Sequence, residues 1–183
     1  MLKLLVCVTC TLMCMLKFFN REPVRVNKHG EDVIVSPTDG TILDIITHND
    51  GSYQIIIFLS IFDVHCQWFP ISGIIKSIKH QNGTFAPAYI LCKSKFNENS
   101  ITSIRHEKHG VVKVKQIAGQ IARRVIAYKR PGEYIQRGET LGKIVLSSRV
   151  DVFLPPNVNL AVRTNQKVSG NITKIGTFTK SDV

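Results

Sequence analysis

The chain has little punctuation, with seven prolines and twelve glycines in 183 residues, too few for a collagen-like or low-complexity protein. Cysteine is as scarce. Five is an odd number for a disulfide scaffold, and Cys7, Cys10 and Cys14 crowd into a single apolar stretch, so a reducing compartment is expected. The N-terminal apolar run falls short of the twenty or so residues that a membrane-spanning helix needs. It covers Leu4–Leu16, thirteen uncharged residues between Lys3 and Lys17. As a helix it reaches about 20 Å into a hydrocarbon core roughly 30 Å thick. Acid is missing from one half only. The first 92 residues carry seven charges of each sign, whereas the remainder carries 17 basic and six acidic ones, so the net charge of +11 sits in the C-terminal half. A polyanionic partner is implied, either nucleic acid or an anionic membrane.

What is present is enough for a folded domain, because 44 % of the residues are hydrophobic and the length suits one core. Residues 1–19 read as a hydrophobic anchor, since no small-residue cleavage site follows the apolar run. Lys17, Arg21, Arg25 and Lys28 on its C-terminal side outnumber Lys3 before it, which places the body on the cytoplasmic face. From residue 20 onward the pattern is short β-rich runs broken by Gly, Pro and Asn. Strands are predicted over 33–35, 41–46, 54–62, 74–78, 88–92, 111–117, 120–128, 140–146, 150–154 and 160–162. The expected fold is mainly β (α+β), a compact β-sandwich or barrel-sandwich-like domain with an N-terminal membrane-associating helix.

Two internal repeats refine this. Pro37-x-x-Gly40-x-Ile42-x-x-Ile45 recurs 33 residues later as Pro70-x-x-Gly73-x-Ile75-x-x-Ile78, each a turn feeding a strand. Gly132-x-x-Ile135-x-x-Gly138-Glu139-x-Leu141 has the form of the tight hairpins of biotinyl- and lipoyl-type folds, with a weaker echo at 166–170. No lysine stands at a hairpin tip in a carrier context.

Candidate reactive residues are individually unremarkable. Asp63 and His65 end an apolar β run and share one strand face if the strand continues. Asp39 lies in a turn where Asp is common for local hydrogen bonding, and Ser147 and Ser148 lie between two β runs. His106-Glu-Lys-His109 has metal-ligand spacing on a helix but lies in a polar stretch read as a solvated loop, and Arg123, Arg124, Lys129 and Arg130 form a basic cluster.

Taken in order, five blocks resemble the phosphatidylserine decarboxylase family: FFNREPVR (18–25), VSPTDG (35–40), IFLSIFDVHCQWFPISG (57–73), QIAGQIARRVIAYKRPGEYIQRGETLGKI (116–144) and LSSRVDVFLP (146–155). The resemblance implies a self-processing proenzyme. Ser148 attacks the carbonyl of Ser147, and the chain divides into a β chain of 1–147 and an α chain of 148–183. Ser148 then becomes a covalent pyruvoyl group. His65 matches the family's base, and a base needs an orienting acid. Asp39 matches that role, although the residues alone do not separate it from Asp63. The pyruvoyl cofactor is implied to capture the amine of phosphatidylserine and to act as electron sink when CO₂ departs, with His65 returning a proton.

The chain departs from the pattern at Ser147, where the family has Gly. Gly tolerates strained backbone that Ser resists, at a difference of about 1–3 kcal/mol, so slow or incomplete cleavage is expected. The expected partners are phosphatidylserine in an anionic membrane and the two chains of the cleaved protein, with a homo-oligomer also allowed and nucleic acid not expected. Two other readings stay open, a non-maturing homologue that binds lipid and a basic β-barrel that binds nucleic acid.

Overall fold

A computed structural model describes residues 2–19, 21–119, 125–144 and 148–179. Helix α1 (Leu2–Phe19) precedes an extended stretch over residues 21–32, and each α1 side chain that is described is exposed. No helix among the described residues is long and apolar enough to cross a membrane. The extended stretch is fastened by side chains rather than by a ladder. Arg25 and Asn27 contact Asp39 and Asn171, while the Arg137 guanidinium donates to the carbonyls of His29, Gly30 and Val33 at 2.6, 2.6 and 2.8 Å.

The body is built from β1 (Val33–Val35), β2 (Gly40–Thr47), β3 (Tyr53–Leu59), β4 (Cys66–Trp68), β5 (Gly73–Gln81), β6 (Asn99–His106) and β7 (Gly110–Ile117). It continues with β8 (Val125–Ala127), β9 (Tyr134–Ile135), β10 (Thr140–Ile144), β11 (Ser148–Leu154), β12 (Val158–Leu160), β13 (Lys167–Val168) and β14 (Lys174–Phe178). One eight-stranded sheet runs β13-β2-β3-β11-β7-β6-β5-β9, and two three-stranded sheets, β1-β14-β12 and β4-β10-β8, complete the body. All named strand pairs are antiparallel and no sheet among the described residues closes on itself, so the expected mainly β fold is present as unclosed antiparallel sheets.

The 33-residue repeat is a structural duplication. The Val35 amide donates to the Pro70 carbonyl at 3.1 Å, and the Trp68 amide donates to the Pro37 carbonyl at 2.8 Å, so each repeat holds the other by the same bond. The second repeat motif obeys the same offset. Gly132 donates to Ile75 and Asn165 to Ile42, both at 2.8 Å, while Gly138 donates to Phe69 at 2.9 Å and Asn171 to Ser36 at 2.8 Å. Strands β4 to β10 therefore form one half, inserted as a block into the other half, which comprises β1–β3 and β11–β14. The eight-stranded sheet reads the same from either end, with β11 and β7 at its centre.

One core fills the space between the sheets. Its members include Ile34, Ile42, Ile57, Ile75, Ile104, Val114, Val150 and Ile175, each at most 1 % exposed. Residues 60–62, expected to extend β3, form a turn instead, because Asp63 folds back to accept the Ser60 amide at 2.8 Å. The strand expected over 88–92 is replaced by a turn leading into the short helix α2 (Leu91–Ser94). Residues 99–106, expected to lie in a solvated loop, form β6, while the strand expected over 111–117 is present as β7. Ser147, Arg123, Arg124 and parts of the strands expected over 120–128 and 140–146 lie outside the described residues.

Candidate active site

The chain leaves the first half between β3 and β4 and returns to it between β10 and β11, and residues flanking the two passages are paired. Ser148, the first residue of β11, pairs with Leu59, the last of β3, while the Ile144 amide at the end of β10 donates to the His65 carbonyl at 3.2 Å. His65 and Ser148 thus stand at one junction. The His65 carbonyl also accepts the Gln67 side chain at 2.8 Å, and Gln67 accepts the Gln116 amide at 3.0 Å. Gln116 lies opposite Val150, two residues from Ser148, and side chains two apart share a strand face. The Ser148 hydroxyl therefore faces the core layer that carries Gln116, and that end of the core is polar.

His65 is 1 % exposed and Ser148 is fully buried. The Ser148 Oγ and both ring nitrogens of His65 have no hydrogen-bond partner among the described residues. Such unpaired groups cost roughly 1–3 kcal/mol each, so packing alone does not account for them. Burial pushes the His65 imidazole below its usual pKa, and Arg21 and Lys143 push the same way against the pull of Asp63. The ring is thus neutral at neutral pH, as a base must be. Burial pushes the neighbouring Cys66 thiol up to about 11, so it stays protonated and is no rival nucleophile.

An Asp39–His65 hydrogen bond, expected if Asp39 orients the base, does not form. The Asp39 carboxylate is occupied: Arg25 grips both oxygens and the Gly170 amide donates to Oδ1 at 2.8 Å. The duplication explains this. Ser72 stands where Asp39 stands in the other half, and its hydroxyl accepts the Arg137 amide at 3.0 Å, the equivalent of the Gly170 bond. Asp39 thus anchors a hairpin, and the carboxylate whose charge bears on His65 is that of Asp63.

Behind Ser148, on the opposite face of β11, lies a buried ion pair that the sequence reading passed over. Arg149 and Asp151, 5 % and 1 % exposed, meet at 2.8 Å. Ser94 accepts from Arg149 at 2.7 Å, and Gln54 donates to Asp151 at 2.9 Å. An Arg and an Asp two apart on one strand face, amid Val150 and Val152, were the available signal. His106 ends β6 and His109 lies on the β6–β7 turn, with rings 4.8 Å apart, and His109 is buried against Phe178 rather than solvated. Among the described residues no group of three His, Cys, Asp or Glu is placed to hold a metal ion.

Within a duplicated, antiparallel β fold, Ser148 and His65 are thus buried polar side chains whose reactive atoms have no partner among the described residues. The chain belongs to the phosphatidylserine decarboxylase family, whose model matches residues 13–175. It is 39 % identical over 178 residues to a phosphatidylserine decarboxylase proenzyme of Parabacteroides distasonis, covering 94 % of this chain and 81 % of that protein. A phosphatidylserine decarboxylase proenzyme of Carboxydothermus hydrogenoformans is 37 % identical over 166 residues, covering 87 % and 78 %. One of Porphyromonas gingivalis is 38 % identical over 165, covering 86 % and 75 %.

Proposed function

We propose that the chain is the proenzyme of a pyruvoyl-dependent decarboxylase of phosphatidylserine. The single observation that carries this reading is the pair of buried, unpartnered groups, His65 and the Ser148 hydroxyl, at the junction of the two halves. His65 takes the Ser148 proton, the oxygen attacks the Ser147 carbonyl, and the amide becomes an ester. β-Elimination then breaks the Cβ–Oγ bond of Ser148, leaving Ser147 as a carboxylate. Hydrolysis with loss of ammonia leaves a pyruvoyl group at residue 148. When formed, that group supplies an electron sink for loss of CO₂ from a bound amino acid. His65 then holds the proton that replaces the carboxylate, while Gln67 fixes its backbone.

The supporting acid for His65 is assigned to Asp63, because Asp39 is engaged by Arg25. Asp39, the acid that the resemblance implies, reaches the ring only if Arg25 releases it. Comparing self-cleavage in Asp63→Asn, Asp39→Asn and Arg25→Ala tests the assignment. Faster cleavage in Arg25→Ala together with none in Asp39→Asn would transfer the role to Asp39.

The exposed apolar helix α1 supports a second part of the reading, in which residues 1–19 rest on a membrane whose anionic lipids attract Lys17, Arg21 and Lys28. The body then sits on the cytoplasmic face, where its substrate lies. The pyruvoyl reading is tested by hydroxylamine labelling of the 148–183 fragment and by CO₂ release from phosphatidylserine.

A further inference from the structure

The turn that leads from β3 toward His65 is built the wrong way round for water. The Ser60 amide donates to the Asp63 carboxylate at 2.8 Å, the Asp63 amide to the Ser60 carbonyl at 3.1 Å, and the Phe62 amide to the Ser60 hydroxyl at 3.3 Å. These bonds hold the turn in one shape, and its tip presents Ile61 and Phe62, 38 % and 70 % exposed. Exposed turns ordinarily carry Gly, Asn, Asp, Ser or Pro.

The duplication supplies the control. β6 is the counterpart of β3, and the turn that follows it reads Glu107-Lys108-His109, with Glu107 and Lys108 exposed. The same fold therefore accommodates a charged tip at the far end, whereas the end beside Ser148 carries an apolar one.

That tip is continuous with α1. The Arg21 guanidinium donates to the Phe18 carbonyl at 2.7 Å and to the Phe62 carbonyl at 2.6 Å, and it lies 3.9 Å from the centre of the Phe18 ring. Phe18 is 46 % exposed. A cation thus joins the exposed Phe18 ring to the backbone of the exposed Phe62, an arrangement suited to the boundary of lipid phosphates and acyl chains.

We infer that Ile61 and Phe62 form a bilayer-docking lip that seats the end of the sheet where β3 meets Ser148 on the membrane surface, with Arg21 joining it to α1. This rests on the proposed phospholipid substrate. Docking holds that end of the sheet at the depth of a lipid headgroup, so the substrate is met without leaving the bilayer.

The test sediments the full-length protein and its Ile61→Asp/Phe62→Asp variant with phosphatidylserine–phosphatidylcholine vesicles. Replacing two membrane-buried apolar side chains by acids should lower partitioning about tenfold or more. Decarboxylation of a short-chain, monomeric phosphatidylserine should remain within about twofold, because docking contributes nothing to a substrate free in water. Unchanged sedimentation overturns the inference, and so does an equal loss on both substrates. Phe62→Trp preserves an apolar tip, and its emission should move to the blue on vesicles against the buried Trp68. An unmoved spectrum also overturns it. A chain that docks through Phe62 but decarboxylates neither substrate keeps the lip and removes the enzymatic reading. One that decarboxylates both equally well after Ile61→Asp/Phe62→Asp keeps the enzyme and removes the lip.

Discussion

His65 and Asp32 are equivalent residues of the two halves, 33 positions apart, and each is held by the same bond. The Ile144 amide donates to the His65 carbonyl at 3.2 Å, and the Phe178 amide donates to the Asp32 carbonyl at 3.0 Å. At the far end the Asp32 carboxylate meets the His109 ring at 3.1 Å, just before Gly110 opens β7. Strand β7 is the counterpart of β11, so Gly110 stands where Ser148 stands. The two halves thus differ at this position, with an acid that meets a histidine at the far end and an imidazole without a partner among the described residues at the near one.

The depressed pKa of His65 fixes the sign of two pH effects. The folded protein resists protonation there, so below the usual value of about 6.5 the unfolded chain binds more protons. Stability should be level above that pH and fall as pH drops through it, by at most about 1.4 kcal/mol per pH unit for this group. His106 is also depressed, by burial first and then by His109, and adds a smaller part of the same sign because water screens it. Urea unfolding from pH 8 to 5, repeated on His65→Gln, checks this, and a slope unchanged by the substitution would contradict it. Self-cleavage should begin to slow only at a pH below the usual imidazole value, because burial depresses the pKa of the ring.

Gly40 and Gly73 are the matched glycines of the repeat, with φ of 151° and 154°. A Cβ on either would lie 2.3 Å from the Phe58 carbonyl oxygen or 2.2 Å from that of Arg105. Gly40→Ala and Gly73→Ala should each cost on the order of 3 kcal/mol, because backbone in a central sheet cannot step aside. Thermal unfolding of the two variants should give similar losses, and a neutral result at either position would mean that the halves are not equivalent.

The repeat at 37 and 70 was legible because its glycines and isoleucines survive in both copies, and β2, β3, β7 and β11 because β-branched residues fill them. Strand β6 was not. Its buried side chains include Asn99, Ser100, Thr102 and Ser103, so the strand reads as polar although it packs inside, opposite the layer that holds Gln116. Ser148 and His65 were found through resemblance rather than pattern. The partner of Asp39 was misread, since a turn aspartate gives no sign that Arg25, fourteen residues earlier, closes on it.

Asp39→Asn keeps an acceptor for the Gly170 amide but leaves Arg25 without its counter-charge. Both side chains of the pair are largely buried, at 15 % and 16 % exposure. A loss of about 1–3 kcal/mol is expected in denaturant unfolding, more than a surface pair contributes. A loss under a few tenths would show that the pair is screened.

Removing residues 2–19 should leave a folded domain, because the described side chains of α1 are exposed and the core is complete without them. The truncated protein should unfold at a similar temperature while binding anionic vesicles more weakly. Loss of cooperative unfolding would assign α1 to the body instead.

The central claim is self-cleavage at Ser148, and the intact mass of the purified protein tests it most directly. Two fragments, residues 1–147 and a hydroxylamine-reactive 148–183, are expected to accumulate slowly from the single chain. Ser147→Gly should hasten them and Ser148→Ala abolish them. A folded chain that stays whole even with Ser147→Gly would contradict the account.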